Sequence, residues 1–211
     1  RQEQSVTDNA PLRGGKGMLY EGGVRVPYIF RWPGKIAGGT QCDTPIISVD
    51  LYPTLLEIAG AKPPSNYPLD GESYAKLLFN KGNCALRRDA LYWHFPGYLG
   101  AGPGAWRTTP AGAIRSGDWK LIEFFEDNRL ELYNVRSDIS QTNNLATSKP
   151  DKTHELHEKL LAWRSELQAP MPTKNTEQTN ASATGRKKGK KKRAAAAQGR
   201  RGRHRQEPPQ P

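Results

Sequence analysis

Ala113-Ile-Arg-Ser-Gly-Asp-Trp-Lys-Leu-Ile-Glu-Phe-Phe-Glu-Asp-Asn-Arg-Leu-Glu-Leu-Tyr-Asn134 decides how this chain of 211 residues folds. Short runs of β-branched, aromatic and long apolar side chains are separated by Gly117-Asp118 and Asp127-Asn128, the residue pairs that accept tight turns. The spacing predicts strands over Ala113–Ser116, Trp119–Phe125 and Leu130–Val135, preceded by Leu91–Phe95. Four short strands in this order make an antiparallel meander. Alternation in the third is imperfect, because Leu121, Ile122, Phe124 and Phe125 put bulk on both faces, so both faces need cover. One cover follows in the chain. A helix from about Pro150 to Leu167 carries Leu156, Leu160, Trp163 and Leu167 on one stripe, with His154, Glu158 and Lys159 elsewhere, and Pro170 and Pro172 stop it.

Upstream of the strands, Ser48 or Asp50 caps a helix running to about Ala59, with Tyr52, Leu55, Leu56 and Ala59 at helical spacing and Gly60 as its stop. Pro53 falls in the first turn, where its missing N–H costs little. The stripe is expected to pack on the segment before it, Val24–Trp32, which reads as a strand closed by Pro33-Gly34 and paired only after Pro27. Lys35–Asp43 is a polar loop, Ala61–Pro68 a Pro-rich linker and Ser73–Leu78 a short helical segment. Before all of these lies Pro11-Leu-Arg-Gly-Gly-Lys16-Gly-Met-Leu-Tyr-Glu21-Gly-Gly-Val-Arg25-Val-Pro27. A lysine between glycines suits one oxygen of a tetrahedral oxyanion, with backbone N–H groups serving the others. The same glycines also suit a solvated loop that merely turns.

Composition divides the chain. From Lys174 to the end there are 12 Lys and Arg against 2 acids, which leaves 20 basic and 19 acidic residues before it. The formal charge of +11 is therefore a property of the last segment, where Arg186–Arg193 and Gly199–Arg205 form basic blocks around an alanine run. Low mean hydropathy, −0.79, fits a segment that cannot bury enough apolar surface to fold, so residues 173–211 are expected to be disordered. Such a tail attracts nucleic acid, anionic polysaccharide or membrane by counterion release, and it has no aromatic residue for stacking on bases. No apolar run reaches the roughly 18 residues that span a bilayer. Cys42 and Cys84 allow one disulfide or none. The chain begins with Arg1-Gln-Glu-Gln, so an earlier start is expected, and any export signal with it.

The run from Pro11 to Pro27 closely resembles a segment of the formylglycine-dependent sulfatases, the arylsulfatase-like branch of the alkaline phosphatase superfamily. The resemblance continues through Ser48–Gly60 (S-V-D-L-Y-P-T-L-L-E-I-A-G), Leu69–Ser73 (L-D-G-E-S), Tyr92–Pro96 (Y-W-H-F-P) and Ala113–Asn134, and covers about residues 5 to 168. It implies an α/β fold. Residues 1–88 would be the end of an alkaline-phosphatase-like α/β domain, 89–172 a small antiparallel sheet subdomain with a packed C-terminal helix, and 173–211 a disordered tail. It also implies that Lys16 binds the substrate sulfate, as catalytic and substrate-binding residue, while Glu21, Gly22, Gly23 and Arg25 shape the loop. His94 is either packed among aromatics or, as in relatives, near the mouth of the pocket. The loop Gly97–Pro110, with Tyr98, Trp106 and Arg107, is either a specificity loop or a plain connection.

The family's other parts are not matched. Sulfatases of this kind carry an Asp-Asn pair that ligates calcium, but Asp8-Asn9 lacks the following Gly and lies only seven residues from Lys16, so it reads as a loop. The nucleophile box C-x-[PA]-x-R is not met by Cys42 (C-D-T-P-I), nor by Cys84 (C-A-L-R-R), where Leu86 stands in the wrong place. His154 and His157, three apart on a helix, read as a solvated face rather than a metal pair. No metal ligand is therefore assigned. A calcium ion and the formylglycine are expected in a complete enzyme, with their residues outside this chain, and the chain alone is expected to be inactive. Its implied partner is a sulfated small molecule or sulfated glycan, and its implied location is periplasmic or secreted. Two rivals stay open: a phosphate or phosphonate monoester hydrolase on the same scaffold, and a non-enzymatic polyanion-binding protein acting through the tail.

Overall fold

Turn chemistry and period-two patterning carry directly into the architecture. The computed structural model describes residues 8–82, 84–100 and 106–173. In chain order they form a helical turn α1 (Glu21–Val24), helix α2 (Leu51–Ile58) led in by a 3-10 turn at Ser48–Asp50, and helix α3 (Ala75–Phe79). Then come strands β1 (Leu91–Phe95), β2 (Leu99–Gly100), β3 (Trp106–Thr108), β4 (Ala111–Ser116), β5 (Trp119–Phe124) and β6 (Arg129–Asn134), and helix α4 (Pro150–Glu166). These elements all lie in one compact unit, Arg1–Pro172. The second unit, Thr173–Pro211, falls outside the described residues apart from Thr173 itself, and the expected disorder of the basic tail falls there with it.

The main sheet is antiparallel in the order β1-β4-β5-β6, the meander expected from the sequence. Its register places Tyr92, Ile114, Leu121 and Leu132 in one cross-strand row, and Trp93, Ala113, Ile122 and Glu131 in the next. Adjacent rows point to opposite faces. The first row meets α4, where Ala90, Ile114, Leu121, Leu132, Leu156 and Leu160 form one core and Trp163 stacks on Tyr92 at 4.8 Å. The second row holds a smaller core of Ala111, Ala113 and Ile122, covered by Leu19, Tyr20, Trp93 and Phe124. Both faces of β5 are thus covered, as its pattern requires. The hairpin of β2 with β3 is an addition that glycine-rich sequence did not announce.

Three expectations are corrected. Of the expected strand Val24–Trp32, Val24 ends α1 and Arg25–Trp32 follows it without a ladder partner among the described residues, leaving Val26 63% and Ile29 91% exposed. Helix α2 buries Thr54 rather than its apolar stripe. Tyr52 and Leu55 are exposed, while Leu51, Thr54, Leu55 and Ile58 border a cavity shared with Phe30 and Trp32. On α4, Leu167 is 51% exposed because the helix ends at Glu166 and the chain turns at Gln168; the buried positions are Thr153, Leu156, Leu160 and Arg164.

The two motifs around Asp50 and Glu72 bind one another. Asp50 is fully buried and accepts the N–H groups of Ile47 at 2.8 Å and Glu72 at 3.0 Å. Arg88 closes on it with both guanidinium nitrogens, Nη2 at 2.6 Å from Oδ2 and Nη1 on Oδ1. Glu72 in turn accepts the Arg87 N–H at 2.8 Å and the Arg88 N–H at 3.1 Å. This fixes the chain that enters β1.

Candidate functional site

Lys16 occupies the corner of a β-turn closed by the Met18 N–H donating to the Gly15 carbonyl at 3.0 Å. Gly17 has φ +87°, the positive value that the third position of a type II turn needs and that glycine adopts freely. The turn leaves the Lys16 side chain exposed, and among the described residues no carboxylate lies at ion-pair distance from it. Its backbone is held from the β2–β3 hairpin instead. Arg107 Nη1 donates to the Lys16 carbonyl at 3.3 Å, and the Thr108 hydroxyl donates to the Gly17 carbonyl. Arg107 is itself exposed, so two cations adjoin the same turn. Tyr98, just before β2, and Trp106, on β3, have ring centroids 5.0 Å apart.

The base of the loop is nailed to the sheet. Gly22 N–H donates to the Arg13 carbonyl at 2.8 Å, and the approach is so close that a Cβ on Gly22 or Gly23 would overlap backbone carbonyls of Gly14 or Met18. Arg13 reaches the Tyr133 hydroxyl at 3.0 Å and the Gln141 carbonyl at 2.8 Å, and its guanidinium lies 4.0 Å over the Tyr20 ring. The Tyr20 and Tyr133 hydroxyls both donate to Glu131 at 2.7 Å. Burial first, and then the hydrogen bond to Glu131, push the Tyr20 phenol up to about 12.

Beneath the loop, Glu21 is 1% exposed and Lys120 is 0% exposed, with Lys120 Nζ 2.8 Å from Glu21 Oε1. Arg115 lies 3.5 Å and Arg25 3.8 Å from the other carboxylate oxygen, and the Glu21 N–H donates to the Gln141 side chain at 2.6 Å. Burial pushes the Lys120 ammonium down to about 8, against the opposing pull of Glu21. From sequence, Glu21 reads only as a loop former, and Lys120 carries no reading at all. The signal available was a lysine at the same strand phase as Ile122 and Phe124, which puts a charge on a face that needs cover.

His94 stands elsewhere. It shares the phase of Tyr92 on β1 and so points to the α4 face, where its Nε2 lies 2.8 Å from the Pro170 carbonyl and its ring 5.5 Å from Phe125. Lys16 belongs to the loop on the other face, so the sheet stands between them. His157 lies 3.3 Å from Glu123, which also pairs with Arg164 at 2.9 Å, while His154 is exposed; the two histidines do not converge. Of Gly97–Pro110, residues 101–105 lie outside the described residues.

The described residues do not fit a calcium site or a formylglycine box. The Asp8 carboxylate accepts the Ala10 N–H at 2.9 Å and the Asn9 amide donates to the Gly14 carbonyl at 3.1 Å, so both serve the local turn. Among the described residues no three His, Cys, Asp or Glu side chains converge as metal ligands would. Cys42 and Cys84 are free thiols, and Arg88, the arginine downstream of Cys84, is committed to Asp50. What the arrangement offers chemically is an exposed ammonium on a rigid turn, flanked by a guanidinium.

The sequence profile of the N-sulphoglucosamine sulphohydrolase C-terminal family matches residues 15–167. A sulfatase of Formosa agariphila is 40% identical over 177 residues, covering 78% of this chain and 31% of the relative. An N-acetylglucosamine-6-O-sulfatase of Bacteroides thetaiotaomicron is 33% identical over 132 residues, 62% of this chain and 23% of the relative. Among solved structures, Ps i-CgsB in complex with k-i-k-neocarrahexaose superposes with TM-score 0.62 at 30% identity, over 80% of this chain and 35% of that one. BT4656 in complex with its substrate D-glucosamine-2-N,6-O-disulfate gives TM-score 0.57 at 29% identity, over 67% and 28%. The chain therefore spans about a third or less of the length of these relatives. Its meander, its packed helix and its ordered motifs all agree with that match: the chain belongs to the sulfatases and matches their C-terminal portion.

Proposed function

We propose that this chain supplies the sulfate-binding lysine and part of the substrate-facing surface of an enzyme that hydrolyses sulfate esters. The observation that carries the reading is Lys16 itself, exposed on a turn whose carbonyls are clamped by Arg107 and Thr108 and whose base is fixed to the sheet. A sulfate ester carries its negative charge on peripheral oxygens, and a cation already in place when charge shifts among them stabilises the transition state at no cost of reorganisation. Nucleophile and metal would be contributed by residues outside this chain, which by itself would not turn over. The substrate class we assign is a sulfated small molecule or sulfated glycan, supported by the sulfated glucosamine in the BT4656 complex and by the activity named for the B. thetaiotaomicron relative.

The test is the complete protein with Lys16→Ala, assayed on 4-nitrophenyl sulfate and on sulfated glucosamine, with 4-nitrophenyl phosphate alongside. Loss of one such electrostatic donor is expected to lower kcat about 10²- to 10³-fold. Unchanged turnover refutes the assignment, and a faster phosphate reaction would favour a phosphate monoesterase instead. His94 faces α4, with its Nε2 on the Pro170 carbonyl, and is left out of the proposed site. His94→Gln should leave KM unchanged, and a raised KM would return it to the substrate surface.

A further inference from the structure

We infer that Lys120 is a positioning residue for Lys16, fixing through Glu21 where the Gly15–Met18 turn presents its ammonium. The inference rests on the Lys16 reading above. Two groups buried to 1% and 0% exposure are an expensive way to join a loop to a sheet, since apolar side chains of the same volume usually do so with equal or greater stability. What an ion pair adds is direction. The Glu21 carboxylate is held by cations from three elements, Arg25 after α1, Arg115 on β4 and Lys120 on β5. Its own backbone N–H is fixed by Gln141, which is also fully buried. The next residue, Gly22, closes the loop on Arg13, and within that closed loop lies the turn bearing Lys16.

Around Lys120 stand Glu21, Arg115, the Trp93 ring at 5.3 Å and, directly across on β6, Tyr133, whose hydroxyl is turned to Glu131. Among the described residues Glu21 is the one carboxylate at ion-pair distance from it. When Lys120 loses its proton, Arg115 and Arg25 still hold Glu21, so the loop stays attached but loses its shortest ionic contact. That separates position from stability, because the same deprotonation relieves the burial of a charge.

The experiment follows the amide resonances of Gly15, Lys16, Gly17 and Met18 in the 211-residue chain during titration with sodium sulfate, ionic strength being held constant with sodium chloride. Lys120→Met and Glu21→Gln are each expected to weaken sulfate binding at that turn about tenfold or more, the scale on which a small displacement of a positioned group is felt. Thermal unfolding is followed beside binding: Lys120→Met leaves the buried Glu21 carboxylate with only Arg115 and Arg25 near it and should melt lower than the unsubstituted chain, so the loss of sulfate binding is read on folded protein below that melt. In the unsubstituted chain sulfate binding should also weaken between about pH 7 and 9, around the folded value of Lys120, while thermal stability rises between about pH 8 and 10.4, and both changes should vanish in Lys120→Met. Should Lys120→Met fail to fold, the pH series on the unsubstituted chain decides the matter. Equal sulfate affinity in both variants, or a flat pH profile, overturns the inference. Lys16→Ala separates the two readings: if it binds sulfate unchanged, the Lys16 assignment falls; if it loses binding while Lys120→Met keeps it, only the positioning role falls.

Discussion

Removing Arg88 tests the joint between the two halves of the described chain. Asp50 is closed off from water by its partners: two backbone N–H groups and the bidentate guanidinium of Arg88 satisfy it at 0% exposure. In Arg88→Met the carboxylate stays buried with its charge unanswered, and breaking one partner of a buried pair costs about 3–5 kcal/mol. Asp50→Asn in the same background removes that charge, so the double variant should recover at least ~2 kcal/mol relative to the sum of the singles. The assay is urea unfolding of the 211-residue chain and its three variants, read as midpoint at constant slope. A loss below about 1 kcal/mol for Arg88→Met, or a coupling below about 0.5 kcal/mol, would show that the pair does not organise this joint. Either result bears on the Cys84-Ala-Leu-Arg-Arg88 run, because an Arg88 spent on Asp50 is not available to a modification box.

Other outcomes follow from the same geometry. Leu160→Ala, at 0% exposure between α4 and the sheet, should cost about 2–5 kcal/mol in urea unfolding, whereas its neighbour Leu161, 36% exposed, should cost well under half of that. Lys120 titrates at about 8 when folded against about 10.4 for an ordinary lysine, so between those values the unfolded chain holds more protons. Stability should therefore rise with pH across that window by up to roughly 1.4 kcal/mol per unit, and the rise should be missing from Lys120→Met in a pH series of thermal melts. Gly23→Ala places a methyl on the Met18 carbonyl and should destabilise the loop by about 1–3 kcal/mol, with loss of hydrogen-exchange protection at Gly22 and Gly23. Deleting Arg186–Arg205 should weaken binding of a sulfated glycan; equal affinity would free the basic tail from any such role.

The meander was legible because Gly117-Asp118 and Asp127-Asn128 punctuate runs whose alternation matches the pleat, and α4 because Leu156 and Leu160 recur at helical spacing. Val24–Trp32 has strand composition but no strand pairing. Such composition measures fitness for a half-buried pleated surface, and a ladder needs a neighbour that the described residues do not provide. The β2–β3 hairpin escaped because glycines and prolines obscure its two short strands. Lys16 could be singled out by its flanking glycines, a purely local signal. Its support could not. Glu21 and Lys120 stand 99 residues apart, as do Arg107 and Lys16 at 91, and no periodicity links positions that meet only once the sheet has formed.

The parallel stack of Trp163 on Tyr92, with 7° between the ring planes, gives this protein a built-in optical gauge. Two coupled chromophores at the seam of helix and sheet should yield a near-ultraviolet circular dichroism band that disappears when α4 lifts away, and replacing Tyr92 by Leu would silence it. Detachment of the helix can thus be timed separately from melting of the strands, without attaching a dye.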